Sequence, residues 1–148
     1  MLKRILVPTD GSGHARKAIE LATDMALQYD ATLYLLHVVS ESKIPKEVLD
    51  YIKVEKIDEV PERVYLQKIG EGIVAAAERD AKKKGVKEVN TDVVQGDPAE
   101  MIITYAREKG VDMIMLGSRG LGQIQGLFLG SVTSKVCHVA ECTCVTVK

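Results

Sequence analysis

The glycines between positions 117 and 130 have a spacing that suits a phosphate-binding loop. The apolar run 113–116 precedes Gly117 and Gly120, and Gly130-Ser131 begins a segment in which valine recurs at helical spacing. This order predicts a buried strand, a glycine loop and the start of a helix. Such a helix end presents unpaired backbone N–H groups and the positive end of the helix dipole, so it attracts anions, phosphates above all.

Side chains of the same loop add polar groups to this predicted site. Arg119 offers a positive charge, and Ser131, Thr133 and Ser134 carry hydroxyl groups at the helix start. Because glycine has no Cβ, a ligand can approach the main chain closely and φ can be positive. A surface loop whose glycines only satisfy turn geometry is the alternative. The preceding apolar run and the Gly-Ser helix start favour phosphate binding.

A carboxylate follows the first predicted strand, residues 2–9. Asp10 stands at the carboxyl end of this strand, where open parallel sheets bind their ligands. The alternative is an aspartate that hydrogen-bonds its own turn, and the residues alone leave both open. Gly11-x-Gly13 suggests a dinucleotide loop only weakly, since Arg16 replaces the third small residue.

Two histidines lie near the predicted turns without an evident catalytic partner. We expect His14, in the first turn of the first helix, to be exposed rather than placed at a phosphate. We expect His37, near the end of the second strand, to be a strand histidine whose hydrogen bonds are satisfied.

Three cysteines and a histidine form the pattern C-H-x3-C-x-C over Cys137, His138, Cys142 and Cys144. The spacing matches none of the common zinc motifs, and an odd number of cysteines argues against a disulfide framework. We expect reduced, mainly structural thiols.

Apolar periodicity divides the 148 residues into alternating strands and helices. Strands are predicted at 2–9, 31–39, 89–93, 113–116 and 142–147, and helices at about 13–29, 62–84, 98–109 and from 131 onward. The inward stripes are predicted to be Ala18, Ala22, Met25 or Ala26, and Tyr29 in the first helix, and Leu66, Ile69, Ile73, Ala76 and Ala77 in the second.

A charged connector at about 40–61 interrupts the pattern. It is predicted to be solvated with a short surface helix, and a mobile lid or a partner-binding segment is the alternative. The apolar residues of that helix would be Ile44, Val48, Leu49 and Ile52.

Strands that alternate with helices predict one domain over residues 1–148, built on a five-stranded parallel open sheet with helices on both faces, a Rossmann-like α/β fold. The expected strand order is 3-2-1-4-5, with the half-exposed third strand at one edge. The switch point then falls between the first and fourth strands, where Asp10 and Gly117 would meet from opposite sides.

Composition gives no sign of a nucleic-acid or membrane partner. Lys and Arg total 20 against 21 Asp and Glu, a net charge of −1. No apolar run reaches membrane-spanning length, and the N-terminus leads into a strand rather than a signal peptide, so a cytoplasmic location is expected.

The glycine spacing, Gly117-x2-Gly120-x9-Gly130-Ser131, resembles the nucleotide signature of the universal stress protein family in its ATP-binding branch. The resemblance extends to Val7-Pro8-Thr9-Asp10, to His37-Val38-Val39 and to Gly96-x-Pro98. It therefore spans nearly the whole chain.

This resemblance implies a site for ATP with Mg²⁺. Adenine would lie against Val38 and Leu116, the ribose near Asp10 and Gly117, and the phosphates on the Gly120 loop and the N–H groups of residues 130–133. Mg²⁺ would be held mainly by the phosphates. The implied cofactor-binding residues are Pro8, Thr9, Asp10, Val38, Leu116, Gly117, Arg119, Gly120, Gly130, Ser131, Val132 and Thr133.

The resemblance further implies a nucleotide-dependent regulator or sensor in stress response that forms a homodimer through the final strand, 142–147. An unpaired terminal edge strand needs covering in any case, although Thr143 stands where the family commonly has proline. One alternative is a slow ATPase or another nucleotide-using enzyme on this scaffold, but HxGH, SGGxDS and GxxxxGK[ST] motifs are absent and no nucleophile stands beside an evident base. Another alternative is a dimeric interaction module without nucleotide.

Overall fold

Strands and helices alternate along the chain in the computed structural model, which describes residues 1–40, 45–56, 61–120 and 129–148. The strands are β1 (Arg4–Pro8), β2 (Thr32–Ser40), β3 (Val89–Gly96), β4 (Met113–Gly117) and β5 (Thr143–Val147). The helices are α1 (Gly13–Tyr29), α2 (Lys46–Glu55), α3 (Pro61–Lys84), α4 (Pro98–Lys109) and α5 (Ser131–Val139).

The five strands form one parallel sheet in the order β3-β2-β1-β4-β5. This confirms the predicted fold class and strand order, with β3 at one edge. Strand β1 is central, and its residues Ile5, Leu6 and Val7 are completely buried because helices cover both faces of the sheet. The carboxyl ends of β1 and β4 therefore lie side by side, and the connections after them leave in different directions.

Each face of the sheet has its own apolar core. One face packs against α1 and α3, which supply small residues: Ala18, Ala22, Ala26, Val74, Ala77 and Ala81. The other packs against α4 and α5, which supply Ala99, Ile102, Tyr105, Ala106 and Val136. Small side chains on α1 and α3 let these helices lie close to the strands.

The inward stripe predicted for α3 is wrong in part. Ala76 is exposed and Ile69 is 41% exposed, whereas Gly70 and Val74 are buried. The face that meets the sheet is the one with the smallest residues, since a Cβ at Gly70 would lie 2.5 Å from Cδ2 of His37. The prediction relied on hydrophobicity alone, and it therefore placed the larger neighbour Ile69 on the inward face.

The end of the α1 stripe also differs from the prediction. Tyr29 is 50% exposed, while Ala18, Ala22 and Ala26 are buried as predicted. Tyr29 is the last helical residue, and the next residue, Asp30, has left-handed backbone angles that turn the chain into β2. The side chain of Tyr29 therefore lies beyond the part of α1 that covers the sheet.

Helix α2 lies within the predicted connector. Tyr51 and Val54 of this helix are exposed. Ile44 is outside the described residues, and so are the side chains of Val48, Leu49 and Ile52. Across the described ranges, no helix is both long enough and apolar enough to cross a membrane.

Replacing Gly70 by alanine tests the close contact between α3 and the sheet. The new Cβ would meet Cδ2 of His37 at 2.5 Å and Cγ1 of Val93 at 3.0 Å, so Gly70→Ala is expected to lower the free energy of unfolding by about 1–3 kcal/mol. Gly72→Ala is the matched control, since nothing lies within 4 Å of its Cβ position, and it should stabilise the helix by about 0.5–1 kcal/mol. Urea unfolding of both variants measures this, and equal effects would contradict the described packing.

Candidate functional site

A cleft of about 590 Å³ opens at the carboxyl edge of the sheet. The last residues of four strands line it: Pro8, Ser40, Gly96 and Gly117. Its size falls within the range of small-molecule sites, about 300–1,000 Å³. The cleft therefore lies at the switch point that the strand order predicts.

The twelve residues predicted to bind a cofactor all line this one cleft. They come from the end of β1 and the turn after it, from β2, from β4 and the loop after it, and from the first turn of α5. The fold brings together segments more than 100 positions apart in the chain. Their contact with a ligand remains a prediction.

Asp10 makes the turn hydrogen bond that was one of the two alternatives, and it also lies at the cleft, while its contact with a ligand stays a prediction. Its Oδ1 accepts a hydrogen bond from the N–H of Ser12 at 2.9 Å, as a turn aspartate does, and its carboxylate also lines the cleft. The same turn has a second local bond, from the N–H of Gly11 to Oγ1 of Thr9 at 3.3 Å. The carboxylate is thus held in place at the mouth of the first βα connection.

Gly117 is required for packing between β4 and α1. A Cβ there would lie 2.8 Å from the backbone nitrogen of Ala15 and 2.8 Å from the carbonyl carbon of His14. A Cβ at Gly120 would instead lie 2.5 Å from Oδ2 of Asp10. These two glycines thus bring the β4 loop against the β1 turn and form the floor of the cleft.

The described glycines of the loop do not use the positive φ that glycine allows. Gly117, Gly120 and Gly130 have no left-handed backbone, and φ of Gly130 is −64°. Gly117 and Gly120 are required because a Cβ would clash with neighbouring atoms, not because their φ angles are positive.

The N-terminus of α5 opens into the cleft without a side-chain cap. In contrast, Ser12 caps α1 and Asp97 caps α4 by accepting hydrogen bonds from backbone N–H groups. The first turn of α5 also contains no acidic residue. The N–H groups of residues 131–133, which have no partner within the helix, are thus the groups that could meet an anion.

Two groups expected to face phosphates have partners inside the protein. The N–H of Gly130 donates to the carbonyl of Ser118 at 2.7 Å, which closes the ends of the β4–α5 connection. Oγ1 of Thr133 donates to the carbonyl of Gly117 at 2.8 Å. These bonds fix α5 to the end of β4, and contact of either residue with a ligand stays a prediction.

The structure confirms the prediction for one of these two histidines and contradicts it for the other. His37 is satisfied as predicted, because its Nδ1 lies 2.8 Å from the carbonyl oxygen of Thr9 and must donate to it. The prediction of an exposed His14 is wrong: it is half-buried, with Nδ1 at 3.1 Å from Oγ of Ser118, and it is not among the residues that line the cleft. No sequence pattern predicts this pair, which joins α1 to the β4 loop.

The start of α4 forms a wall of the cleft that the site prediction omitted. Gly96, Asp97, Pro98 and Ile102 line it, and Gly96 has a φ of +146°. The helix predicted at 98–109 begins here, and Gly96-x-Pro98, which is part of the family pattern, is the signal that could have found this wall.

The cysteines lie apart from the cleft. All three are free and half-buried against the core beneath α4 and α5, and burial raises the pKa of the Cys142 thiol. In the described part of the chain, no group of three or more His, Cys, Asp or Glu side chains is arranged to hold a metal ion.

The fold and cleft together define an open α/β protein with a ligand-sized site at its topological switch point. The model of the universal stress protein family matches residues 1–148, and the chain belongs to that family. The family resemblance of the glycine spacing is thereby confirmed.

Relatives match over nearly full lengths. The universal stress protein YxiE of Bacillus subtilis is 35% identical over 100% of both chains. The structure of MJ0577 superposes with a TM-score of 0.84 at 29% identity, over 100% of this chain and 96% of that one. The structure of the universal stress protein UspA from Lactobacillus plantarum superposes with a TM-score of 0.83 at 26% identity, over 99% of this chain and 97% of that one.

The two glycines of the β4 loop should differ in their effect on stability. Gly117→Ala is expected to lower the free energy of unfolding by about 1–3 kcal/mol, because its Cβ meets main-chain atoms of α1 that move only if the helix shifts. Gly120→Ala meets one side-chain oxygen of Asp10 and no main-chain atom, so a small adjustment relieves the contact and the expected loss is about 0.5 kcal/mol. Urea unfolding curves compare the two, and an equal loss would show that α1 does not depend on Gly117.

Proposed function

We propose that this universal stress protein binds ATP in the cleft and acts as a nucleotide-dependent regulator or sensor in stress response. Mg²⁺ would be held mainly by the phosphates of the bound nucleotide. The observation that carries the proposal is the uncapped first turn of α5, which lines a ligand-sized cleft.

The charges in the cleft give the nucleotide an orientation. Arg119 and the N-terminus of α5 are positive, so they suit the phosphates, which carry the negative charge of ATP. The carboxylate of Asp10 would repel phosphates but accepts hydrogen bonds from hydroxyl groups, so it suits the ribose. The residues that line the cleft therefore support a ribose at the β1 turn and phosphates at α5.

The remaining wall of the cleft suits a flat apolar group. Leu36, Val38, Ile102 and Leu116 line it, and three of them are almost completely buried where they join the core. An adenine ring placed there would bury its faces against aliphatic side chains, while its polar edge could reach strand-end backbone groups.

Two solved structures of the same fold are described as nucleotide complexes. One is a universal stress protein in complex with cAMP, with a TM-score of 0.69 at 23% identity. The other is a universal stress protein from Archaeoglobus fulgidus in complex with dAMP, with a TM-score of 0.65 at 17% identity. At these identities the likeness to this chain is one of fold, so the argument for ATP rests on the cleft.

The proposal includes a cytoplasmic homodimer that pairs through residues 142–147. The edge position of β5 supports the pairing, because an edge strand carries backbone groups without a strand partner on one side. The absence of nucleic-acid and membrane partners remains a prediction from the charge balance.

Heating the purified protein should release its nucleotide. Ion-exchange chromatography of the supernatant is expected to give ATP or ADP, and isothermal titration of the emptied protein with ATP and Mg²⁺ is expected to show saturable binding. A supernatant without nucleotide together with no heat of binding would overturn the proposal.

A steady-state assay of phosphate release separates a regulator from an enzyme. Slow release of phosphate from ATP fits a regulator, whereas rapid turnover would favour an enzyme.

Removing the charge of Arg119 should weaken the binding of ATP more than the binding of adenosine. Arg119→Ala is expected to raise the Kd for ATP about tenfold, equivalent to about 1.4 kcal/mol, and to leave the Kd for adenosine unchanged. Arg107→Ala is the matched control, because Arg107 is exposed and pairs with Glu141 outside the cleft. Equal weakening of ATP and adenosine would show that Arg119 does not face the phosphates.

A further inference from the structure

Strand β3 lies at an edge of the sheet, and its outer side has no strand partner among the described residues. On its inner side, β2 pairs with all eight residues of β3 in one register, from Val89 opposite Leu33 to Gly96 opposite Ser40. The backbone groups on the outer side of β3 therefore point away from the sheet.

One hydrogen bond fixes which residues of β3 face outward. The N–H of Leu33 donates to the carbonyl of Glu88 at 2.9 Å. In a parallel ladder, every second residue then directs its N–H and C=O groups toward the neighbouring strand, so the even-numbered residues of β3 bond to β2. The outward N–H and C=O groups belong to the four odd-numbered residues: Val89, Thr91, Val93 and Gln95.

The sequence of β3 does little to protect this edge. Proteins commonly protect an edge strand with proline, lysine, a bulge or a short length. Strand β3 has eight residues, its sequence VNTDVVQG contains neither proline nor lysine, and its unbroken register with β2 leaves no bulge. Its one charged residue, Asp92, accepts a hydrogen bond from Oη of Tyr105 at 2.6 Å, which ties that side chain to α4. The edge is therefore open to an added strand.

We propose that β3 is a docking site for an extended, basic segment of a partner protein, which adds a strand to this edge of the sheet. An extended chain is the ligand whose N–H and C=O groups alternate at the spacing that the edge presents. The proposal is independent of nucleotide binding and of pairing through β5, because β3 and β5 are opposite edges of the sheet.

The charges beside the edge favour a basic partner. Asp92 is exposed, and no cationic side chain in the described ranges forms an ion pair with its carboxylate. Lys109 instead lies over an aromatic ring of α4, at 5.5 Å from the ring centroid. Glu88, just before the strand, adds a second exposed carboxylate, and the neighbouring Lys87 is already held in an ion pair of 2.9 Å. A lysine or arginine beside Asp92 would thus meet an unpaired negative charge.

The alternation of side chains along β3 sets the pattern of the partner. Side chains that lie opposite each other on neighbouring strands share a face of the sheet. Partner residues beside Asp92 lie on the face of α4, where a basic side chain can reach the carboxylate. Partner residues beside Val89 and Val93 lie on the other face, where these valines pack against the core under α1 and α3. A segment that alternates basic and apolar residues therefore fits the edge.

Amide hydrogen exchange measures strand addition residue by residue. The isotope-labelled full-length protein is studied alone and with an acetylated, amidated octapeptide that alternates valine and lysine. In the free protein, the inward amides of β3 should exchange slowly, because β2 already protects them, and the outward amides should exchange rapidly. Saturating peptide should slow exchange by about tenfold at the outward amides alone. These are the amides of Thr91, Val93 and Gln95.

Substitutions in β3 separate the backbone from the charge. Thr91→Pro removes one outward N–H and leaves the ladder with β2 intact, so it should abolish the protection. Thr91→Val keeps the amide and is the matched control. Asp92→Asn can still accept the hydrogen bond from Tyr105 but loses the charge, so it should raise the Kd of the valine–lysine peptide about two- to fivefold. A peptide that alternates valine and glutamate should give no protection.

The proposal would be overturned if the outward amides of the free protein already exchanged slowly, or if the valine–lysine peptide left their exchange unchanged. Equal protection by the valine–glutamate peptide would also overturn it. Slow exchange that disappears on dilution would assign the edge to a second copy of this chain instead of a basic partner. Exchange in the unmutated protein decides the outcome even if Thr91→Pro fails to fold.

Discussion

The close approach of α1 to the end of β4 is the constraint on which the cleft depends. Only glycine fits at position 117, because any Cβ would meet main-chain atoms of His14 and Ala15. This contact holds the first turn of α1 beside the β4 loop, and the hydrogen bond between His14 and Ser118 reinforces it. The turn with Asp10 and the loop with Gly120 are thereby held next to each other. The shape of the site is therefore set by packing within the protein before any ligand binds.

Helix capping decides which end of the cleft is positive. Three helices, α1, α4 and α5, contribute residues to the cleft, and two of them satisfy their first N–H groups with their own caps, Ser12 and Asp97. Only α5, among these three, leaves its first turn without such a cap. Asp10 and the start of α5 line the same cleft, so it offers a negative and a positive group to a ligand, and a molecule that carries both hydroxyls and phosphates fits this pattern.

The order of the elements and the carboxyl ends of the strands were predicted well from the sequence. Buried strands and helix starts have recognisable local patterns, such as an apolar run or Asp97-Pro98. The sequence also predicted residues that the fold gathers at one cleft. It failed where packing overrides hydrophobicity, as in α3, where Gly70 rather than Ile69 faces the sheet. It could not find the contact between His14 and Ser118, since only the folded sheet brings residues 104 positions apart together.

The most direct test of the central claim is an amide NMR titration of the protein with ATP and Mg²⁺. If phosphates bind at the uncapped helix start, the largest shifts should occur at Ser131, Val132 and Thr133 and at Gly120, and adenosine should leave the first three nearly unchanged. Shifts confined to the groove between α1 and α3, around Ile73 and Lys83, would contradict the account. So would shifts at 131–133 that adenosine reproduces in full.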